Sequence, residues 1–185
     1  MRPLAVRTHP LVFGVAIFLA SELMFFAGLF AAYFDLRSGT AVWPPSDVHL
    51  NVLEATIGTA FLAISSGSMI GMTRALDRTG ATGAYPWLFA GILSAIIFIG
   101  IAVKGWQDAG FTIASHAYGS TFYAMTGLHL LHVAVGVILL GTLFFGLRSP
   151  ALTANHRAGA EAIMYYWHFV FIVWLGIWGT IYFLR

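Results

Sequence analysis

Residues 11–34 read LVFGVAIFLASELMFFAGLFAAYF, and this apolar run decides the fold class of the chain. A helix needs about 20 mainly apolar residues to cross the hydrocarbon core of a bilayer, so the run is long enough to span one. Arg2 and Arg7 precede it, as basic residues precede the apolar core of a signal peptide. The run is longer than a signal-peptide core and contains Glu22, so we predict a retained membrane helix.

Four more apolar runs follow along the chain. Together the five predict membrane-spanning helices at about 11–34, 52–72, 85–103, 117–147 and 158–184. The runs lack the alternation of apolar and polar residues that is typical of a membrane barrel. The sequence therefore predicts an all-α integral membrane protein, a single membrane domain over residues 1–185 built as a bundle of five transmembrane helices.

The amino-acid composition is typical of an integral membrane protein. Hydrophobic residues make up 59% of the sequence and charged residues only 9%, whereas soluble domains carry about 25% charged residues. No run of lysine and arginine exists, and the formal net charge is +2, so a nucleic-acid partner is not predicted. Cysteine is absent, which excludes disulfides, thiolate metal sites and a cysteine nucleophile.

The basic residues predict an orientation. Cytoplasmic loops of membrane proteins carry an excess of lysine and arginine. Six of the nine basic residues fall on the side of the N-terminus and three on the other: Arg2, Arg7, Arg74, Arg78, Arg148 and Arg157 against Arg37, Lys104 and Arg185. We therefore expect the N-terminus in the cytoplasm and the C-terminus on the outer side.

Three carboxyl groups are candidate site residues. Glu22 lies near the centre of the first helix, where a charged side chain costs roughly 2.5–3.5 kcal/mol on insertion scales. It is either a proton-linked or lipid-contacting group that faces a cleft, or a neutral structural carboxyl bonded to a neighbouring helix. Glu54 and Glu161 lie near the starts of the second and fifth helices, where the helix dipole stabilises a carboxylate.

Three histidines raise the possibility of a metal or haem site. His129 and His132 stand three residues apart on the fourth helix, and His168 is on the fifth. They form a three-nitrogen cluster only if the two helices pack with these faces opposed. We favour interior histidines that join helices by hydrogen bonds, and we predict no metal. No phosphate-binding glycine loop or catalytic triad is evident, so no catalytic residue is predicted.

Four segments along the chain resemble subunit III of cytochrome c and quinol oxidases, the haem–copper respiratory oxidases. They read LASELMFFAG at 19–28, WPPSDVHLNVLE at 43–54, YGSTFYAMTGLHLLHVAVG at 118–136 and YWHFVFIVWLGIWGTIY at 166–182. The resemblance covers nearly the whole chain and is closest to the short, five-helix bacterial form of the family.

This resemblance implies an accessory subunit without a redox centre of its own. The expected partners are the catalytic subunit I, subunit II and other subunits of the complex, which hold the haem and copper. Structural phospholipids are the expected ligands, and a bacterial plasma membrane is the expected location. Glu22 matches the family's membrane carboxyl near the proton-uptake path, and the three histidines match positions of a structural kind.

Two departures from the family pattern leave alternatives open. The family has a Gln-x-x-Glu segment where this chain has residues 102–105, AVKG, and an aspartate where it has Phe171. A related subunit of a quinol oxidase or a nitric oxide reductase therefore remains an alternative. An independent proton-coupled transporter and a di-histidine haem protein are more distant alternatives.

Overall fold

Five long α-helices form the protein, as the hydropathy pattern predicts. The computed structural model describes residues 10–147 and 155–184. The helices are α1 (Pro10–Ser38), α2 (Val52–Thr79), α3 (Ala81–Asp108), α4 (Ala117–Gly146) and α5 (Asn155–Tyr182). All five are long and apolar enough to cross a membrane, and strands are absent from the described ranges. The chain is thus an all-α, multi-pass membrane protein.

Most of the helices extend beyond the apolar runs that predict them. Helix α2 continues to Thr79 and α3 begins at Ala81, so a single residue, Gly80, joins them. Gly80 has a φ of 71°, a left-handed conformation that glycine adopts without steric cost. Hydropathy did not predict these extensions because polar residues continue a helix into the headgroup region as readily as apolar ones.

The helices α2, α3, α4 and α5 form the packed part of the bundle. Helix α2 packs along α3 and also contacts α5, while α4 lies against both α3 and α5. Gly91 of α3 gives α2 room, because a Cβ atom there would overlap the Met69 side chain. Such small residues let helix backbones approach closely in lipid.

Helix α1 is attached to the bundle along one narrow stripe. It contacts α4 and α5, and only Val12, Phe26 and Tyr33 of its 29 residues are buried. Large apolar side chains such as Phe13 and Met24 stay exposed. This exposed surface requires lipid or another membrane subunit to cover it.

Two tryptophans of α5 bind α2 by buried hydrogen bonds. Trp167 Nε1 donates to Ser65 Oγ at 3.1 Å, and Trp174 Nε1 donates to Thr59 Oγ1 at 2.8 Å. Both indoles are at most 4% exposed, so these bonds lie within the bundle. They fix the rotation of α5 relative to α2.

We expect Trp174→Phe to destabilise the folded chain by about 1 kcal/mol, because interhelical hydrogen bonds in membranes contribute roughly 0.6–1.7 kcal/mol. Trp178→Phe is the matched control, since the buried Trp178 Nε1 has no hydrogen-bond partner among residues 10–147 and 155–184. Unfolding in a denaturing detergent series measures both. Equal losses in the two variants would show that the Thr59 hydrogen bond contributes nothing.

Candidate functional site

Glu22 of α1 and His132 of α4 meet inside the membrane-spanning region. Glu22 Oε2 lies 2.9 Å from His132 Nε2, and the two side chains are 21% and 14% exposed. This contact joins the loosely attached α1 to the packed part of the bundle. The carboxyl is therefore bonded to a neighbouring helix, and its partner is one of the three candidate histidines.

The second ring nitrogen of His132 determines where the protons are. His132 Nδ1 lies 2.7 Å from the carbonyl oxygen of Leu128, which can only accept a hydrogen bond, so Nδ1 carries a proton and donates it. The contact between Nε2 and Glu22 Oε2 then contains one further proton. That proton is on Oε2, with both groups neutral, or on Nε2, as an ion pair.

Both arrangements of the Glu22–His132 pair have a total charge of zero. Placing an isolated, negatively charged carboxylate in hydrocarbon costs free energy. A partner that shares a proton with the carboxylate leaves the pair without a net charge and so avoids this cost. The ring of Phe26 packs on the imidazole edge with 5.2 Å between centroids, and the Tyr166 hydroxyl donates to the His132 carbonyl oxygen at 2.9 Å. Residues of three helices thus hold the pair in place.

An apolar groove opens beside this pair between α1, α4 and α5. Its volume is about 420 Å³. His132 lines it, together with apolar side chains that include Phe18 and Leu139, the small residues Gly159 and Ala162, and the ring of Tyr166. The groove follows α1 from Leu11 to Phe18, about 10 Å at 1.5 Å per residue. A cavity of this shape and lining suits a hydrocarbon chain.

The other two candidate histidines bind elsewhere. His129 Nε2 lies 3.1 Å from the Val170 carbonyl oxygen, and His168 Nδ1 lies 2.6 Å from Ser66 Oγ. Both contacts join helices, α4 to α5 and α5 to α2. Within the described ranges, no group of three or more His, Cys, Asp or Glu residues is placed to hold a metal ion. The three-nitrogen cluster does not form because each imidazole faces a different neighbour.

The remaining two carboxyl groups lie towards helix ends. Glu54 follows the N-cap Asn51, whose side chain accepts from the Glu54 backbone N–H at 3.2 Å, and Glu54 Oε1 binds Lys104 Nζ at 2.6 Å. Lys104 also binds Asp108 Oδ2 at 2.7 Å.

Glu161 accepts from the Tyr165 hydroxyl at 3.3 Å on an exposed part of α5. Neither carboxyl lies beside Glu22.

Comparison with known proteins identifies the family. The family described as cytochrome c oxidase subunit III matches residues 4–185, nearly the whole chain. The chain belongs to the cytochrome c oxidase subunit III family. The resemblance that the four sequence segments carry is thereby confirmed.

Named members of the subunit III family are similar over almost all of this chain. A relative from Nocardia farcinica, named probable cytochrome c oxidase subunit 3, is 39% identical over 97% of this chain and 90% of its own length. A relative from Corynebacterium diphtheriae is 37% identical with the same coverage. One from the fungus Allomyces macrogynus is 35% identical over 95% of this chain and 66% of its own length. The two bacterial proteins thus match this chain in extent, and the fungal one is longer.

The pairing within this subunit III chain is what sequence reasoning missed. Both Glu22 and His132 were candidates, but 110 residues separate them, and nothing in either run specifies its partner. The available signal was that each is an isolated polar residue in the middle of an apolar helix, which needs a hydrogen-bond partner in lipid. That signal does not choose among His129, His132 and His168, because the choice depends on how the helices are rotated.

Proposed function

We propose that this chain is the accessory, non-redox subunit III of a haem–copper terminal oxidase, packed beside catalytic subunit I in a complex with subunit II. The observation that carries this proposal is the family match over residues 4–185. Haem and copper belong to the partner subunits, and the exposed apolar face of α1 offers a surface for such a partner or for lipid. The complex couples aerobic electron transport to proton translocation.

The Glu22–His132 pair is the part of this chain that we propose supports proton uptake. One proton lies between Glu22 Oε2 and His132 Nε2, and it can move between them without changing the total charge. The same contact attaches α1 to α4 beside the groove. The pair thereby keeps a proton-exchanging group at a fixed place while it maintains the walls of the groove.

The groove between α1, α4 and α5 is the proposed phospholipid site. Its lining is apolar, and it lies within the membrane-spanning part of the bundle, where acyl chains are the available apolar molecules. A lipid held there fills the space that the narrow attachment of α1 leaves open. We propose that this bound lipid shields the catalytic subunit and slows its inactivation during turnover.

We propose a bacterial plasma membrane with the N-terminus in the cytoplasm. The named relatives from Nocardia farcinica and Corynebacterium diphtheriae support the bacterial location. The distribution of basic residues supports the orientation. Of these residues, Arg2, Arg7, Arg148 and Arg185 lie outside the described part of the chain.

Gly159→Leu is the experiment that tests the groove. Gly159 lines the groove, and a Cβ atom there meets nothing within 4 Å, so leucine enters the groove without an initial clash. We expect the complex to retain less phospholipid after detergent washing and to inactivate sooner during turnover. Quantified lipid phosphorus and the decay of oxygen consumption measure both effects.

Gly179→Leu is the matched control on the same helix. Gly179 also has nothing within 4 Å of an added Cβ atom, but it does not line the groove. We expect its lipid content and lifetime to equal those of the wild type. Two variants that behave alike would contradict the lipid role of the groove.

A further inference from the structure

A second cavity of a different kind lies at the opposite end of the bundle from the groove. It has a volume of about 100 Å³ and opens between α2, α3, α4 and α5, at the end that contains residues 39–51 and 109–116. We call it the inlet. The groove is lined mainly by apolar side chains, whereas the lining of the inlet includes the polar residues Asn51, Glu54, Asp108, Thr126 and His129.

His129 lies at the deep end of the inlet. Its side chain is 1% exposed, and its ring contacts the rings of Phe98 and Trp174, with 6.0 and 4.9 Å between ring centroids. His129 Nε2 faces the Val170 carbonyl oxygen at 3.1 Å and must donate to it, because a carbonyl only accepts. His129 Nδ1 is buried and has no hydrogen-bond partner among the residues that the structure describes.

The chemistry of the Nδ1 atom defines what the inlet binds. In a neutral imidazole whose Nε2 carries the proton, Nδ1 is an acceptor, so its partner must be a hydrogen-bond donor. A buried acceptor without a partner is costly, and buried water commonly satisfies such groups. Thr126 Oγ1 donates to the Phe122 carbonyl oxygen and accepts from Trp106 Nε1, which leaves the hydroxyl a second lone pair for a donor.

The mouth of the inlet is charged and faces the aqueous side of the bundle. Lys104 Nζ bridges Glu54 Oε1 and Asp108 Oδ2, and the Lys104 and Asp108 side chains are more than half exposed. The residues of α3 that line the inlet extend from Asp108 to Phe98. At a helical rise of 1.5 Å per residue, this stretch is about 15 Å long. Ala102 and Gly105 line this length and contribute little side-chain volume.

We propose that the inlet is a water-binding site. A few ordered water molecules, about three at roughly 30 Å³ each, occupy the inlet below the Glu54–Lys104–Asp108 cluster. The deepest of them donates a hydrogen bond to His129 Nδ1. The aqueous phase at this end of the bundle thus reaches about the level of residue 98 of α3, on a path that is separate from the Glu22–His132 pair.

A cysteine placed in the inlet reports the presence of water. The chain has no cysteine of its own, so Ala102→Cys introduces a single thiol into the inlet. The control variant Val103→Cys places a thiol at the same depth on the exposed outer side of α3.

Thiols react as thiolates, which form where water reaches the sulfur. In the purified complex in lipid, we expect methyl methanethiosulfonate to label Ala102→Cys at least tenfold faster, as measured by mass spectrometry of the labelled peptides. Equal rates, or faster labelling of Val103→Cys, would overturn the proposal.

The wild-type complex provides a second test that needs no variant. A density map that resolves ordered water elsewhere in the membrane region is expected to show water within hydrogen-bond distance of His129 Nδ1. An inlet without density, or one filled by a hydrocarbon chain, would contradict a water site even if Ala102→Cys failed to assemble. Neither test depends on lipid in the groove, so failure here leaves the proposed function in place.

Discussion

Gly136→Leu is expected to remove this chain from the assembled complex. Gly136 of α4 lies against the indole of Trp167, and a Cβ atom at this position would overlap that ring and press on the Tyr166 ring at 3.2 Å. Trp167 is 1% exposed, so it has no free space to move into. Adding methylene groups to a filled core costs about 1–3 kcal/mol. Replacing glycine with leucine adds four carbon atoms, so we expect a cost towards the upper end of this range or beyond it.

Displacing Trp167 and Tyr166 also breaks the hydrogen bonds that hold α5. Trp167 Nε1 binds Ser65 on α2, and the Tyr166 hydroxyl binds the His132 carbonyl oxygen on α4. The bundle therefore loses packing and helix contacts together. We expect little or none of the variant chain to co-purify with the oxidase, measured as the amount of tagged chain in the detergent-extracted complex.

Gly141→Leu is the matched control for this experiment. It adds the same side chain to the same helix, but nothing lies within 4 Å of a Cβ atom at Gly141. We expect wild-type amounts of this variant in the complex. Normal assembly of Gly136→Leu would mean that the contact between α4 and α5 does not determine the stability of the bundle.

Glu22→Ala is expected to shorten the working life of the oxidase and to slow its proton uptake. His132 Nδ1 stays bonded to the Leu128 carbonyl oxygen, but His132 Nε2 loses its partner within the membrane. Removing one partner of a buried hydrogen bond costs about 1–3 kcal/mol. Helix α1 then loses a polar contact to α4 beside the groove, and the proton shared by the pair is gone.

Glu22→Gln separates the two roles of the carboxyl. The glutamine amide can donate to His132 Nε2 and keep α1 attached, but it cannot exchange a proton. We therefore expect normal assembly with slowed proton uptake, where Glu22→Ala shows both defects. Oxygen consumption, proton pumping in vesicles and the rate of inactivation during turnover measure these outcomes.

Glu161→Ala is the control for general effects of removing a carboxyl. Among the side chains that the structure describes, Glu161 accepts from Tyr165 on an exposed part of α5, and we expect this variant to behave as the wild type. Unchanged pumping, activity and inactivation in Glu22→Ala would remove Glu22 from the account.

The fold could be predicted from the sequence because lipid leaves few choices. A backbone in hydrocarbon must satisfy its own hydrogen bonds, so each long apolar run becomes a helix. Helix ends were less predictable, since residues such as Asp77 and Arg78 continue α2 beyond its apolar part. Length and hydropathy therefore determine the number of helices better than their bounds.

The sequence could predict the individual residues of the candidate site but not which of them pair. A polar residue in an apolar helix is visible in the local sequence, whereas its partner depends on how the helices pack. Glu22 stands out as a carboxyl within an apolar helix, and that feature is local. Its bond to His132 depends on the rotation of two helices. His129 and His132 stand three residues apart, yet one faces α5 and the other α1. A difference of about 60° around the helix is enough to give them different partners.

The most direct test of the account is the composition of the complex purified through a tag on this chain. We expect the haem-bearing catalytic subunit to co-purify, and we expect the visible absorption to stay with that subunit when the tagged chain is separated from it. A tagged chain that carries its own haem spectrum, or that is recovered in native lipid without any oxidase subunit, would contradict the account.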